Sequence, residues 1–370
     1  MSASKVYFTN LRAKSGDNLL QKLERLIDKA GMGEIDFNGK YVAIKIHFGE
    51  PGNLAYLRPN YAKVVVDYVK ARGGKPFLTD CNTLYVGGRK NALDHLDSAY
   101  TNGYNPFAVG CHVLIADGLK GTDEVYVPVE GGEYVKEAKI GRAVMDADIV
   151  ISLNHFKGHE EAGFGGALKN LGMGCGSRAG KMEMHSAGKP NIRQNRCVGC
   201  GCCDRICAHG APIKGEDGKY TIDHNKCVGC GRCIGECPKD AVVPANDEHA
   251  EVLNYKIAEY TKAVIDGRPN FHINLVMDIS PNCDCHAEND VPIVPNVGMF
   301  ASFDPVALDQ ACVDAVNAMP VNPHSVLGSC EHDHDGDHFH VVHPDTNWPA
   351  ALEHGEKLGL GSREYELVKI

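Results

Sequence analysis

Short apolar runs and longer amphipathic stretches alternate along the first half of the chain. Residues 40–48 (KYVAIKIHF), 75–79 and 112–116 are brief and rich in apolar and β-branched types, as strands are. Residues 60–71 and 91–102 instead repeat their apolar positions every three or four residues, which predicts helices. Residues 125–129 and 134–139 read as a hairpin turning through Glu130-Gly131-Gly132. The continuous apolar run 147–153 (ADIVISL) suits a strand buried on both faces of a parallel sheet. After residue 245 the rhythm resumes with a helix over 247–265, a strand over 270–279 and a helix over 305–319. Asp304 suits the N-cap of that last helix and Pro305 its first position. The pattern predicts an α/β fold, a mostly parallel sheet with helices on both faces.

Between these halves the rhythm gives way to cysteines. Cys227-x-x-Cys230-x-x-Cys233-x-x-x-Cys237-Pro238 is preceded, 30 residues earlier, by Cys197-x-x-Cys200-x-x-Cys203-x-x-x-Cys207. Small residues such as Gly229 and Gly231 let a short loop carry successive sulfurs to the corners of a cube while its amides face sulfide. The spacing points to two [4Fe-4S] clusters. Two zinc sites of four cysteines each are the alternative, although zinc ribbons seldom place three cysteines so tightly before Cys-Pro. The segment resembles the two-cluster bacterial ferredoxins, in which the fourth cysteine of each group serves the other cluster. That resemblance implies Cys197, Cys200, Cys203 and Cys237 on one cluster, and Cys227, Cys230, Cys233 and Cys207 on the other. Two departures stand out: the proline after Cys207 is displaced to Pro212, which predicts a looser corner, and Cys202 adds a competing thiol beside Cys203. The expected organisation is an α/β scaffold over 1–192 and 246–370, interrupted by a ferredoxin-like α+β insert over 193–245.

Composition narrows the function classes. With 370 residues and 43% hydrophobic content the chain can bury a full core. A net charge of -10 and the absence of a basic stripe argue against a nucleic-acid partner. Sixteen cysteines would suggest disulfides in a small secreted domain, but half of them sit in the two compact groups. Residues 1–10 have no export pattern and no apolar run is long enough for a membrane span, so a cytoplasmic location in a reducing cell is expected.

Directly after the 147–153 strand come His155, Lys157, His159, Gly163, Gly165, Gly166 and Lys169, with His185 further on. Ligands bind at the carboxyl ends of parallel strands, so this loop is a candidate site. His159 would act as general acid or base with His155 nearby, Lys157 and Lys169 would neutralise an anion, and the glycine amides would approach it. The order of a P-loop and of a Rossmann fingerprint is absent. The plain alternative is a strand-to-helix turn with surface charges. His47 ends another strand and would face the same crevice. Cys283 and Cys285, in Asn282-Cys283-Asp284-Cys285-His286, are either metal ligands completed by Asp304, His286 or a distant group, or reactive thiols. Residues 292–310 read as a turn feeding a helix whose N-terminus, at Asp304, would hold an anionic cofactor. The tract 331–343, with His332, His334, His338, His340 and His343 among aspartates, is expected to be a solvated loop rather than a metal site.

The whole chain resembles the uncharacterised iron–sulfur centre proteins that carry a domain of unknown function numbered 362. The residues responsible are Thr79-Asp80-Cys81-Asn82-Thr83-Leu84-Tyr85 with Gly88-Arg89, the 154–174 segment, the cysteine groups, Asp284-Cys285-His286 and the run from Ser302 to Asp309. The resemblance implies cluster-based redox chemistry. A local stretch, His159-x-x-Ala162-Gly163-Phe164-x-Gly166 with Lys169 and His185, is similar to a segment of the nickel-pincer lactate racemases. There the matching positions hold a catalytic histidine, a cofactor-tethering lysine and a nickel-ligating histidine. The leading expectation is an oxidoreductase in which two clusters relay electrons between a donor or acceptor protein and a small anionic substrate or cofactor in the α/β crevice, where a further metal is a candidate. The alternatives are an electron-transfer or binding protein without catalysis, and a metal-dependent isomerase of racemase type. Oligomeric state is not written in these patterns.

Overall fold

The computed structural model describes residues 3–185, 188–245, 249–330 and 336–370. Its main sheet has eight strands: β1 (Ser4–Asn10), β2 (Tyr41–Lys45), β3 (Lys75–Asp80), β4 (His112–Ile115), β5 (Ile149–His155), β6 (Asn270–Val276), β7 (Gly298–Ser302) and β8 (Tyr365–Lys369). Their spatial order is β8-β1-β7-β6-β5-β2-β3-β4. All neighbours pair parallel except β1 with β7 and β7 with β6. The predicted α/β architecture is therefore observed.

Period-two alternation decides which side chain enters which layer. Leu78, Ile44, Ile151 and Phe271 stand in register across four parallel strands and belong to one core, which also takes Leu23 and Leu26 of the helix Leu19–Lys29 and Val65 and Val66 of Pro59–Lys70. One residue earlier, Phe77, Ala43 and Val150 point to the opposite core, with the helices Ala167–Cys175, Ala250–Ile265 and Pro305–Asn317. Fully buried aliphatic or aromatic side chains of this kind contribute about 1.5–3 kcal/mol each, so the sheet is the backbone of both layers.

Three strands escaped the sequence reading. β7 occupies the 292–310 stretch expected to be a turn, and β1 and β8 form the far side of the sheet with mostly exposed or half-buried residues. The 270–279 strand stops at Val276 because the chain bends through Asp278, whose φ is +49°. The hairpin pairs Glu124–Pro128 with Glu137–Gly141, so its second arm starts later than expected.

Residues 190–244 join no strand of the main sheet. They build two small sheets and two one-turn helices with an internal two-fold relation. Pro190–Ile192 pairs with Val242–Pro244, and Tyr220–Ile222 with Pro212–Lys214. The strand before each cysteine trio thus pairs with the strand that follows the other group's fourth cysteine.

Asp304 caps Pro305–Asn317 as expected: Oδ1 accepts from the Val306 and Ala307 amides at 2.9 and 2.8 Å. Its other oxygen accepts from the Ser362 amide at 2.8 Å and Ser4 Oγ at 2.6 Å. The anion expected at this helix end is the chain's own carboxylate, and Asp304 is not available to a cofactor or to a metal with Cys283. Of the histidine tract, residues 331–335, and so His332 and His334, lie outside the described residues. His338 donates to the Met319 carbonyl at 3.1 Å and His343 to that of Pro281 at 2.7 Å, so these two imidazoles hold loops together.

Asp304 ties both chain ends to one helix. Asp304→Ala is expected to lower the unfolding free energy by about 1–2 kcal/mol, read from the denaturant midpoint. An unaltered midpoint would mean that the tie contributes nothing.

Candidate functional site

Strand order reverses between β2 and β5: the chain runs outward through β3 and β4, then returns to the other side of β2. At such a switch point the loops leaving the strand ends diverge and leave a crevice. A cleft with about 830 Å³ of empty volume, its mouth included, opens there. Its floor is a continuous buried polar chain. Asp80 pairs with Lys45 at 3.0 Å, Lys45 donates to Asn170 at 2.7 Å, and Asn170 to Asn154 at 2.7 Å. Asn154 donates to Asn274 at 2.8 Å, and Asn274 to Asp309 at 2.8 Å. Asp309 ends the chain by accepting from the Ala167 and Leu168 amides at 2.7 and 2.9 Å. Burial raises the Asp309 carboxyl to about 6, against the lowering effect of these donors.

The walls carry the predicted residues. His47, His155, Lys157, His159, Gly165, Gly166, Lys169, His185 and Cys285 all line the cleft. The glycine loop does not cradle an anion with the start of the following helix, because Asp309 already takes the first amides there. Gly163 is also placed elsewhere: its φ is +84° and a Cβ on it would lie 2.7 Å from Trp348, so it is a packing and turn residue rather than a cofactor contact.

Protonation is set by local donors and burial. The Nδ1 of His159 accepts from the Glu161 and Ala162 amides at 3.2 and 3.1 Å, which leaves the proton on Nε2. Burial, with Lys169 and Lys157 nearby, holds this imidazole neutral, well below its usual pKa. His159 is thus built to donate a hydrogen bond from Nε2; the lone pair a general base would use is already taken. Burial and then Arg89 likewise keep His47 neutral. His155 bridges Asp284 at 2.8 Å and the Met277 carbonyl at 2.8 Å, fixing the Cys283–Cys285 loop against the end of β6. His185 pairs with Glu161 at 3.0 Å and meets Tyr85 Oη at 3.1 Å. Burial and the neighbouring Lys157 push the Lys169 amine well below its ordinary value. The sulfurs of Cys283 and Cys285 are joined as a disulfide, and His159 offers a nitrogen within 4.8 Å of both.

The two-fold segment gathers its cysteines into two further cavities. Cys197, Cys200, Cys203 and Cys237 line one, and Cys207, Cys227, Cys230 and Cys233 line the other, with about 310 and 350 Å³ of empty space respectively, their mouths included. This is the crossed partition. The corner at Cys207, expected to be looser, matches its partner: the Ala211 amide lies 3.4 Å from Cys207 Sγ and the Ala241 amide 3.2 Å from Cys237 Sγ. The preceding Gly210 and Asp240 both take positive φ, 59° and 48°, so the turn forms without the proline. Cys202 also borders the first cavity and receives Arg205 at 3.0 Å. The segment abuts the cleft. Leu84 lines the cleft and shares a buried cluster with Cys203, Cys237, Ile234 and Met182. Met182 belongs to the helix Arg178–His185, which brings Lys181 and His185 to the cleft.

Sequence reasoning passed over Lys45, Tyr85, Arg89, Asp284 and Lys181 as cleft-lining residues. The available signal was a charge inside an apolar strand, as at Lys45, since a buried charge requires a partner. Arg89 pairs with Glu50 at 2.7 Å and reaches the Cys285 carbonyl at 3.4 Å, so it braces the loop that carries both thiols.

A family model described as "Domain of unknown function (DUF362)" matches residues 42–314. The chain belongs to the DUF362 family. The matched DUF362 span holds every cleft residue and both cysteine groups. A thylakoid-associated protein of Synechocystis sp. is 29% identical over 177 residues, 45% of this chain and 49% of that protein. Among solved structures, the lactate racemase apoprotein of Thermoanaerobacterium thermosaccharolyticum is similar at 11% identity and a TM-score of 0.38, covering 74% of this chain and 51% of that one. A Thermotoga maritima protein is similar at 11% identity and a TM-score of 0.33, covering 70% and 50%. The chain spans about half the length of these relatives. The two structural scores are too low to carry a residue correspondence or a reaction across. Among the described residues of this DUF362 member no helix is long and apolar enough to cross a membrane.

Lys169 generates a prediction with a definite sign. Its folded pKa lies below the unfolded value of 10.5, so the unfolded chain binds more protons between the two and stability rises with pH across that window. Lys169→Met should remove that part of the slope and stabilise the protein at neutral pH by on the order of 1 kcal/mol. Denaturation at about pH 7 and about pH 9.5 checks it; a variant as steep as its parent would refute the assignment.

Proposed function

We propose that the protein is an iron–sulfur oxidoreductase in which the 190–244 segment holds two [4Fe-4S] clusters and exchanges electrons with an anionic substrate or cofactor in the α/β cleft. The observation that carries the reading is the crossed set of cavities, each bordered by four cysteines of the bacterial ferredoxin spacing. The donor chemistry fits: beside the sulfurs, the Ala211, Ala241 and Tyr220 amides lie 3.4, 3.2 and 3.5 Å from Cys207, Cys237 and Cys197 Sγ, and amides near thiolates favour the charged form. Cys197, Cys200, Cys203 and Cys237 would hold one cluster, and Cys227, Cys230, Cys233 and Cys207 the other. When bound, the clusters supply electrons singly.

The remaining chemistry falls to the cleft residues. Lys157 and Lys169 offer amine hydrogens to an anion, and the Nε2 hydrogen of His159 orients an acceptor group. His185, Glu161 and Tyr85 form a hydrogen-bonded set that can pass a proton at the cleft wall. Leu84 and Met182 seal the boundary against water. A cytoplasmic setting and an electron-carrying protein partner belong to the same proposal, as does treating 193–245 as an inserted module.

Anaerobically purified protein should contain about eight iron and about eight sulfide per chain, with electron paramagnetic resonance signals on reduction. Cys230→Ser should remove mainly one of the two signals. Stoichiometric zinc with negligible sulfide would end this reading.

A further inference from the structure

Among the cleft residues, the Cys283–Cys285 pair has no role in the proposal above. Cys285 lines the cleft and is half-buried, whereas Cys283 lies behind it, 1% exposed. The inner sulfur is surrounded by donors: Lys169 Nζ at 3.2 Å, Lys157 Nζ at 3.6 Å and the Cys285 amide at 3.4 Å. Glu160 receives the Cys283 amide at 3.1 Å, and its carboxylate also meets His286 at 3.4 Å, so the loop is held from both sides. Asp284, between the cysteines, is fixed by His155.

Two thiols and an imidazole within 4.8 Å invite a metal reading. Two observations oppose it. The Nδ1 lone pair of His159 is taken by two amides, so Nε2 bears the proton and has no pair to offer. The amines of Lys169 and Lys157, 3.2 and 3.6 Å from Cys283 Sγ, also occupy the side of the sulfur where a cation would sit. A thiolate has the opposite requirement, because amines and amide hydrogens stabilise it.

We infer that Cys283–Cys285 is a redox-active disulfide that stores two electrons in the cleft. The inference rests on the iron–sulfur reading for its electron supply, which a low-potential one-electron donor protein provides from outside. Two electrons and two protons break the S–S bond. One proton makes the Cys285 thiol at the open side; the other goes to the Lys169 amine, and the resulting ammonium pairs with the Cys283 thiolate. Lys169 suits this exchange, since burial and Lys157 disfavour its proton until a negative sulfur appears beside it. The division of labour follows exposure: the outer sulfur meets an acceptor, and the inner one is stabilised in charged form.

The test uses the anaerobic holoprotein, oxidised with thionine or reduced with titanium(III) citrate, followed by rapid alkylation, peptide mass spectrometry and electron paramagnetic resonance of the same samples. The oxidised protein should yield the Cys283/Cys285 peptide unlabelled and at disulfide mass, and the reduced protein should yield it doubly labelled. Cys285→Ser should leave Cys283 labelled in both states with cluster signals unchanged. Full labelling of both cysteines in the oxidised protein overturns the inference. So does one equivalent per chain of a metal beyond the cluster iron that Cys285→Ser removes. If the clusters are reduced while the pair stays oxidised, the inference falls and the iron–sulfur reading stands. Protein without iron and sulfide removes the electron supply and overturns both.

Discussion

A single buried hydrogen-bonded chain runs under the cleft from Asp80 through Lys45, Asn170, Asn154 and Asn274 to Asp309. It links β3, β2, β5 and β6 with two helices of one face, and each member satisfies its neighbour. Inside the sheet such a chain favours one arrangement of its members, because each buried amide or carboxylate group left unpaired costs about 1–3 kcal/mol. It therefore fixes how the helices sit at the reversal of strand order, and every wall of the cleft hangs from those helices or from the loops beside them. Lys45, paired with Asp80, adds no net charge to the floor, and the amines of Lys157 and Lys169 stand above it.

The glycine-rich stretch illustrates how one motif can serve ends other than those its composition suggests. Its helix start is capped from within by Asp309, and Gly158 cannot carry a side chain because a Cβ would sit 2.1 Å from the Pro281 carbonyl. The glycines are there to let two backbones pass closely, which brings the Cys283–Cys285 loop over Lys157 and Lys169. The meeting of thiols and amines at this place arises from that approach between distant parts of the chain.

Much of this was legible beforehand. Strand rhythm located β2 to β6, and the rule that sites gather at carboxyl ends selected His47, His155, Lys157, His159, Lys169 and His185, all of which the fold brings to one cleft. The strands β1, β7 and β8 were not legible: β1 and β8 are mostly exposed or half-buried and need not be uniformly apolar, β7 is a buried run of only five residues, and antiparallel pairing has no local signature. Asp304 was correctly read as a cap but wrongly as a ligand: the same carboxylate cannot do both, and Ser362 and Ser4, which claim it, are distant in sequence. The neutral state of His159 also depends on amides whose positions only the folded loop defines.

The exchanged strand pairing in the cysteine-rich segment has a consequence for how the protein is made. Neither half of that segment can close its own cavity, because each borrows its fourth sulfur and its closing strand from the other. During synthesis the first trio leaves the ribosome well before Cys237, and until that residue emerges its cavity stays open on one side. A chain ending just before Cys237 already holds all four cysteines and both strands of the second cavity but leaves the first without its fourth sulfur and its closing strand, so the site begun first is the one completed last.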